Sequence, residues 1–380
     1  MKIVYSTESV NRNGGIHTVT IVKANALAEI EGNEVYIVVP HFYGTTPRAI
    51  SPKVHLINLD LKEFWVPVYK QPLRNKEYKR LLQHTLEKIG PDIVISTGQQ
   101  DRNFLPRIKV SSHPVFIREI HFMSNYRRLM ARGFKERIFA RFSEFMDYRL
   151  SINRYDRIII LSTEDREKNW AGNPKVVNMP NPLTVSSNAR SPLSGNKAIA
   201  VGRLSPEKHF DALIKAWRLI ADQHPEWVLE IWGGNGALYE ELNRLIHVLH
   251  LEQQVFLKGE TPHISDKMAE ASLLISTSRF EGMPLVLLEA LSAGLPIVTF
   301  NYKYGADEIV TEGENGYIVE VDDLDTLAER ITAIMTDENL RKKMGAASYH
   351  ASQRFLPNAI ADRWMDLFRQ LRKEKPAPVK

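Results

Sequence analysis

The chain contains no cysteine. Disulfides, thiolate metal sites and a cysteine nucleophile are therefore excluded, and the composition suits a reducing cytoplasm. No apolar run reaches the ~18 residues of a membrane-spanning helix, so none is expected. The N-terminus, MKIVYSTESVNRNGG, lacks the long apolar core of a signal peptide and reads as a strand. Internal repeats at solenoid periods are missing, as are long low-complexity segments. No nucleic-acid-binding module has its signature here, which sets nucleic acid aside as a partner.

What is present is ordinary globular material. Apolar residues make up 43% and charged residues 25% of 380 positions, enough for two domains with separate cores. The net charge of +5 and pI of about 9.1 favour an acidic partner, such as phosphate groups or an anionic membrane face.

The apolar pattern alternates between short β-branched runs and helical spacing, and it does so twice. Strands are expected at residues 2–5, 34–40, 54–59, 92–96, 114–118, 157–161 and 176–178, with helices between most of them. Residues 181–196, NPLTVSSNARSPLSGN, are rich in Ser, Asn and Pro and read as a connection between domains. After it the pattern restarts, with strands at 197–201, 228–232, 255–257, 273–277, 296–300 and 316–319. A final helix carries Ile360, Trp364, Leu367, Phe368 and Leu371 on one face. The expectation is an α/β protein with two Rossmann-like parallel-sheet domains facing a cleft. Residues 1–182 form the first domain, 183–196 the linker and 197–357 the second domain. The helix over 358–375 crosses back to complete the first.

Ligands of such sheets bind outside the carboxyl ends of the strands, so the loops after strands carry the candidates. The most informative is within residues 280–296, FEGMPLVLLEALSAGLP. Glu281 and Glu289 are eight residues apart, a little over two helical turns, and share one side if a helix begins near Met283. Gly282 permits close backbone approach, and Pro284 pre-sets a first turn whose N–H groups are free for an anion. Acids near a helix start are common, but Glu289 lies inside an apolar helix and needs a partner there. Arg203 and Lys208 follow the first strand of the second domain in VGRLSPEKHF. A solvated basic loop is the default for such a pair; its position makes it an anion site suited to a diphosphate.

Weaker signals accompany these. Gly14 and Gly15 follow the first strand and suit close approach to a phosphate, with a simple turn as the default. His121 follows a strand in FIREIHFM, although a lone His is more often structural. The glycines of GGNG at 233–236 read as a tight turn near a nucleotide. Asp322, Asp323 and Asp325 resemble a metal cluster, but helix capping explains them better, and no metal is expected. From 125 to 157, Arg127, Arg128, Arg132, Lys135, Arg137 and Arg141 interleave with Leu129, Met130, Phe134, Ile138, Phe139 and Phe142. Such a segment suits either an anionic membrane surface or a half-buried helix with a solvated basic face.

These residues resemble the family-4 retaining glycosyltransferases of GT-B architecture. The resemblance runs through VGRLSPEKHFDALIKAW, LEIWGGNG, LLISTSRFEGMPLVLLEALSAGLPIV, GADEIV and NGYIV. In the N-terminal half it rests on the Gly-Gly loop and a His after a middle strand. It implies transfer of a sugar from a nucleoside-diphosphate-sugar to a glycan, glycolipid or cell-surface polymer, with an α-linkage and without metal. It also implies no cofactor, a UDP-sugar ahead of a GDP-sugar as co-substrate, and a cytoplasmic location, either free or peripheral at the inner face of the cell membrane. By the same likeness Arg203 and Lys208 hold the donor diphosphate, and Glu281 and His121 contact the donor sugar. Glu289 takes the ribose hydroxyls, and backbone from Met283 through Pro284 to Leu285 reaches the sugar and phosphates. Two departures, Phe122 after His121 and Gly305-Ala306-Asp307-Glu308-Ile309, bear on sugar identity. A nucleotide-sugar-binding protein without turnover, or another GT-B enzyme such as a sugar-nucleotide epimerase, stays open as an alternative.

Overall fold

Runs of Ile and Val flanked by turn residues form strands because branched side chains pack well on a pleated surface buried on both faces. The computed structural model describes the chain except for residues 12–13, 43, 47, 63–70, 123–126, 129–130, 132, 186–188, 235, 303 and 376–380. It divides into two units, Met1–Pro182 with Pro357–Lys380, and Leu183–Leu356.

In chain order the first unit has β1 (Lys2–Ser6), α1 (Gly15–Ala28), β2 (Glu34–Val39), β3 (Val54–Asn58), α2 (Gln71–Ile89), β4 (Ile93–Ser96) and β5 (Val115–Glu119). These are followed by α3 (Phe134–Leu150), β6 (Arg157–Ile160), α4 (Thr163–Asn169) and β7 (Val176–Asn178). All pairings are parallel, in the order β3-β2-β1-β4-β5-β6-β7. Side chains alternate between the faces of the sheet. Ile3, Tyr5, Ile93 and Ile95 enter one core and Val4, Val94 and Phe116 the other, where Tyr78, Leu82 and Leu86 of α2 cover them. Of the helix expected over 125–151, Asn125, Leu129, Met130 and Arg132 lie outside the described residues, and α3 begins at Phe134.

The second unit repeats the plan with β8 (Lys197–Val201), α5 (Phe210–Ala221), β9 (Val228–Trp232), α6 (Tyr239–Val248), β10 (Val255–Gly259), α7 (Ile264–Ala269) and β11 (Leu273–Ser276). It continues through α8 (Leu285–Ser292), β12 (Ile297–Phe300), β13 (Gly316–Val319), α9 (Leu324–Thr336) and α10 (Glu338–Ser352). Its sheet is parallel in the order β10-β9-β8-β11-β12-β13. Leu213, Ile214, Ala216, Trp217 and Ile220 anchor α5 in the core.

Two features of chain routing follow. The polar stretch read as a connection is built into the second unit. Leu183 and Leu193 are buried, Ser191 donates its N–H to the Ala293 carbonyl at 2.9 Å, and Arg341 donates to the Leu193 carbonyl at 2.9 Å. A segment packed on a core can have the composition of a free linker, so composition alone does not separate the two. The last helix, α11 (Pro357–Glu374), belongs to the first unit. Ile360, Trp364 and Phe368 are fully buried in the core that α1 also covers.

Candidate functional site

In each sheet one strand has its successors on both sides: β1 lies between β2 and β4, and β8 between β9 and β11. The loops leaving these neighbours part in opposite directions, and the crevice between them is where open α/β sheets bind ligands. In the second unit those are the loops after β8 and β11. They carry Arg203, Lys208 and Glu281.

These two loops are fastened together. The Lys208 ammonium donates to Glu281 Oε1 at 2.5 Å, with both side chains more than four-fifths buried. Ser278 donates to the same oxygen at 2.9 Å. Thr277 Oγ1 donates to the Lys208 carbonyl at 3.1 Å, and the Arg279 N–H to the Glu207 carbonyl at 2.9 Å. Tyr302 is fully buried with its hydroxyl unbonded among the described residues; burial, with Glu281 and Asp307 nearby, pushes its ionisation well up. Arg203 is not drawn into this cluster. Its side chain is 79% exposed and pairs with Glu207 at 3.1 Å.

The following segment departs from the expectation of a helix beginning near Met283. Helix α8 starts at Leu285, and Pro284 is its N-cap with φ −71° and ψ 116°, an extended conformation. A residue preceding proline is kept out of the α region, so Met283 cannot open the helix and Glu281 stays in the loop. Helical spacing therefore does not align the two acids. Lys208 and Ser278 position Glu281, whereas Glu289, on α8, accepts from Thr184 Oγ1 at 2.8 Å. Met283 is buried, and Gly282 is half-buried in the turn before the helix.

The glycines after β9 have a steric cause. A Cβ on Gly233 would stand 1.7 Å from the Gly202 carbonyl oxygen, and one on Gly236 would stand 2.3 Å from that of Leu204. They let the loop after β9 press against the loop after β8 at Gly202 and Leu204; Asn235 lies outside the described residues. His209, in the left-handed region at φ 52°, faces Asp211 at 2.8 Å, Asp322 at 2.6 Å and Arg279 at 3.0 Å. Asp323 caps α9 by accepting from the Thr326 N–H at 3.1 Å. Two of the three clustered acids are thus a cap and a clamp for His209.

In the first unit the loops after β1 and β4 are joined by Glu8, whose carboxylate accepts the N–H groups of Gln99 at 2.7 Å and Gln100 at 3.1 Å. Gly14 caps α1 in an extended conformation, and a Cβ there would meet only His17 at 3.5 Å. Neither strain nor space requires glycine at that position. Close by, at the end of β5, stands a buried charge cluster. Lys23 of α1 and Glu119 form an ion pair, each 2% exposed, and His121 Nε2 lies 3.6 Å from Glu119. Burial opposes the Glu119 charge, but Lys23, His121 and Arg118 together hold its carboxyl below the usual range. Burial pushes the His121 imidazole down to about 4, against the pull of Glu119 and with help from Lys23 and Arg118. His121 is thus neutral at pH 7. Lys23 also lies 5.0 Å over the Trp364 ring of α11.

Sequence reasoning missed Ser278, Tyr302, His209 and Lys23. Ser278 and His209 lie within three residues of Glu281 and Asp211, but nothing in the type of a lone Ser or His there marks the contact, and the reach of His209 to Asp322 and the burial of Tyr302 are set by the fold. Lys23 had one signal, a lone cation within the apolar helix pattern IVKANALA.

The profile described as "Glycosyltransferase Family 4" matches residues 13–182, and that described as "Glycosyl transferases group 1" matches residues 186–351. The chain is 34% identical over 230 residues to an exopolysaccharide phosphotransferase of Streptomyces coelicolor, covering 59% of this chain and 24% of that protein. It is 34% identical over 175 residues to a poly(glycerol-phosphate) alpha-glucosyltransferase of Bacillus subtilis, covering 46% of this chain and 26% of that one. The match thus spans about a quarter of the length of each. A mutant of S. aureus TarM, solved with fondaparinux, alpha-GlcNAc-glycerol and UDP, shares the fold with a TM-score of 0.74 at 15% identity, over 97% of this chain and 99% of that one.

The buried imidazole has a consequence for acid stability. An unfolded His takes up its proton near 6.5, and folded His121 resists until about 4. Between those values the unfolded state binds more protons. The stability is therefore fully present above pH 6.5 and is lost as pH falls towards 4, by about 3 kcal/mol. Denaturant unfolding of wild type and His121→Gln across that range should show the steeper acid loss in wild type. Parallel losses would contradict the assignment.

Proposed function

Because the chain belongs to the family-4 glycosyltransferases, we propose that it moves a sugar from a nucleoside-diphosphate-sugar with retention, forming an α-linkage without a metal ion. The observation that carries this reading is the Lys208–Glu281 pair at the switch point of the second sheet. The lysine ammonium has three N–H donors, and Glu281 takes one. The remaining donors suit the oxygens of a diphosphate, whose developing negative charge they stabilise as the bond to the sugar breaks. Arg203, exposed at the mouth of the same loop, adds a second cation that closes on the phosphates when donor binds. Glu281 lies at the sugar end and Glu289 takes the ribose hydroxyls. Backbone from Gly282 through Met283 and Pro284 to Leu285 lies along the phosphates. His121 serves as a neutral hydrogen-bonding group for the sugar, and the α1 start at Gly14 and Gly15 admits a phosphate. The acceptor hydroxyl attacks the face that the diphosphate leaves. Its oxygen bonds to the anomeric carbon, the bond from that carbon to the diphosphate oxygen breaks, and the diphosphate takes the proton.

Relatives named for exopolysaccharide and for a glycerol-phosphate polymer support a glycan, glycolipid or lipid-linked acceptor of the cell envelope. A TarM structure containing UDP supports a UDP-sugar ahead of a GDP-sugar. The first unit then serves the acceptor and the second the donor.

Helix α3 supports a peripheral place at an anionic membrane. Phe134, Ile138, Phe139, Phe142 and Phe145 are all more than half exposed. At 100° per residue Phe134, Phe145, Ile138 and Phe142 fall in one stripe about 80° wide, with Arg141 on one edge and Lys135 on the other. Arg127 and Arg128 take no part in that face. They pair with Asp147 at 2.5 Å and Glu144 at 2.7 Å.

Incubated with UDP-sugars in chelator, the protein should release UDP. Lys208→Ala and Arg203→Ala should lower the rate at least about a hundredfold, the cost of removing a transition-state charge contact. Binding without release in any acceptor screen would favour a binding protein instead. The two acids should separate kinetically: Glu289→Gln mainly raises KM for donor, and Glu281→Gln mainly lowers kcat. Identical defects would refute the division, and a covalent sugar trapped on Glu281 would refute the same-face attack. Vesicles test the helix. Wild type should co-sediment with vesicles rich in phosphatidylglycerol and not with neutral phosphatidylcholine, and Ile138→Asp with Phe142→Asp should abolish this. Equal sedimentation of wild type and variant would count against a membrane face.

A further inference from the structure

A cavity of about 530 Å³ opens within the first unit at the carboxyl ends of β4 and β5, a position where such sheets take ligands. Four arginines line it: Arg74 from α2, Arg102 after β4, Arg118 on β5, and Arg127. Two of these are fixed by neutral acceptors. Buried Arg118 donates to Ser96 Oγ at 2.6 Å and to the Gly98 carbonyl. Arg74 donates to Gln100 Oε1 at 2.6 Å. Arg102 and Arg127 share one carboxylate, that of Asp147, at 2.9 and 2.5 Å. The other acid in the wall, Glu144, is taken by Arg128.

The charges behind the wall do not cancel this. Glu8 accepts backbone N–H groups, and Asp101 accepts from Ser96 at 2.8 Å, with burial pushing its carboxyl above the usual range. Positive charge still exceeds negative with both acids ionised. The rest of the wall suits a polyhydroxylated molecule. Gln71, Asn75, Gln99 and Asn103 present amides that donate and accept, and Phe122 and Tyr148 present aromatic surface.

We propose that this cavity is an acceptor subsite that reads an anionic group carried on a glycan, a phosphate diester or a carboxylate. The inference rests on the transferase reading and adds the acceptor's chemical class to it. A guanidinium is suited to this role because its planar fork matches both oxygens of either group. Arg118 and Arg74, fixed from behind, are held in place before the ligand arrives, while Arg102 and Arg127 can exchange half of a shared carboxylate for it.

Calorimetric titration of the full chain with three probes of equal length tests this: a glycerol-phosphate oligomer, an oligogalacturonate and a neutral dextran oligomer. At least one anionic probe should bind about tenfold or more tighter than the neutral one, the gain expected of one charge-assisted contact. The stronger of the two identifies the anion. Raising salt from 50 to 500 mM should weaken the anionic probe and leave the neutral one unchanged, a readout that needs no variant. Arg102→Gln with Arg127→Gln should lower the anionic affinity about tenfold at an unchanged unfolding midpoint. Equal or tighter binding of the neutral probe, or salt-independent binding of the anions, overturns the proposal. UDP release by wild type from donor alone separates the two readings. Absence of release from donor alone and in every acceptor screen, with anion binding intact, refutes the transferase and leaves the cavity as an anion site, and release without anion preference does the reverse.

Discussion

The ion pair between Lys208 and Glu281 ties together two loops that are 73 residues apart in sequence. Much of the second unit can be understood as support for it. Parallel pairing of β8 with β11 brings the loops side by side. Glycines after β9 let a third loop press against the first. The Thr277 hydroxyl and the Arg279 N–H fix the turn that carries the lysine by donating to its carbonyls. With both side chains more than four-fifths buried, each holds the other in one orientation. A ligand that brings its own negative charge meets a lysine already oriented.

The first unit uses burial differently. Lys23 and Glu119 are removed from solvent almost completely, under Trp364 of the C-terminal helix. Lys23 helps hold the Glu119 carboxyl below its usual range, burial pulls the Lys23 ammonium down from its own, and the adjacent His121 is kept neutral. A neutral imidazole can donate or accept one hydrogen bond without adding positive charge. The helix that travels back from the end of the chain therefore completes a core and also roofs the charge cluster beside a candidate site residue.

Nearly all of the regular structure was legible in the residues. Each described strand falls on an apolar run that the pattern marks, because strands buried on both faces cannot hide among polar positions. Helix starts were less legible. The rule that proline opens a helix placed one near Met283, whereas Pro284 is itself the extended cap and Met283 before it is kept out of the α region. The stretch from 181 to 196 misled for a related reason. Ser, Asn and Pro are common in irregular segments, and one packed against a core has the same composition as a free connection.

By itself the sequence determined two alternating β/α units and placed Arg203, Lys208, Glu281 and His121 after strands, because local apolar periodicity dictates where strands end. It also carried the family's motifs in the second half. Only tertiary structure decided which of these groups meet. Strand order brought Lys208 against Glu281 and left Arg203 in solvent. It gathered arginines from α2, the loop after β4, β5 and the segment before α3 around one cavity, and it buried His121 beside an ion pair. Such contacts depend on which strands become neighbours and on how much water is excluded between them. Those are properties of the whole sheet, and no short window of residues records them.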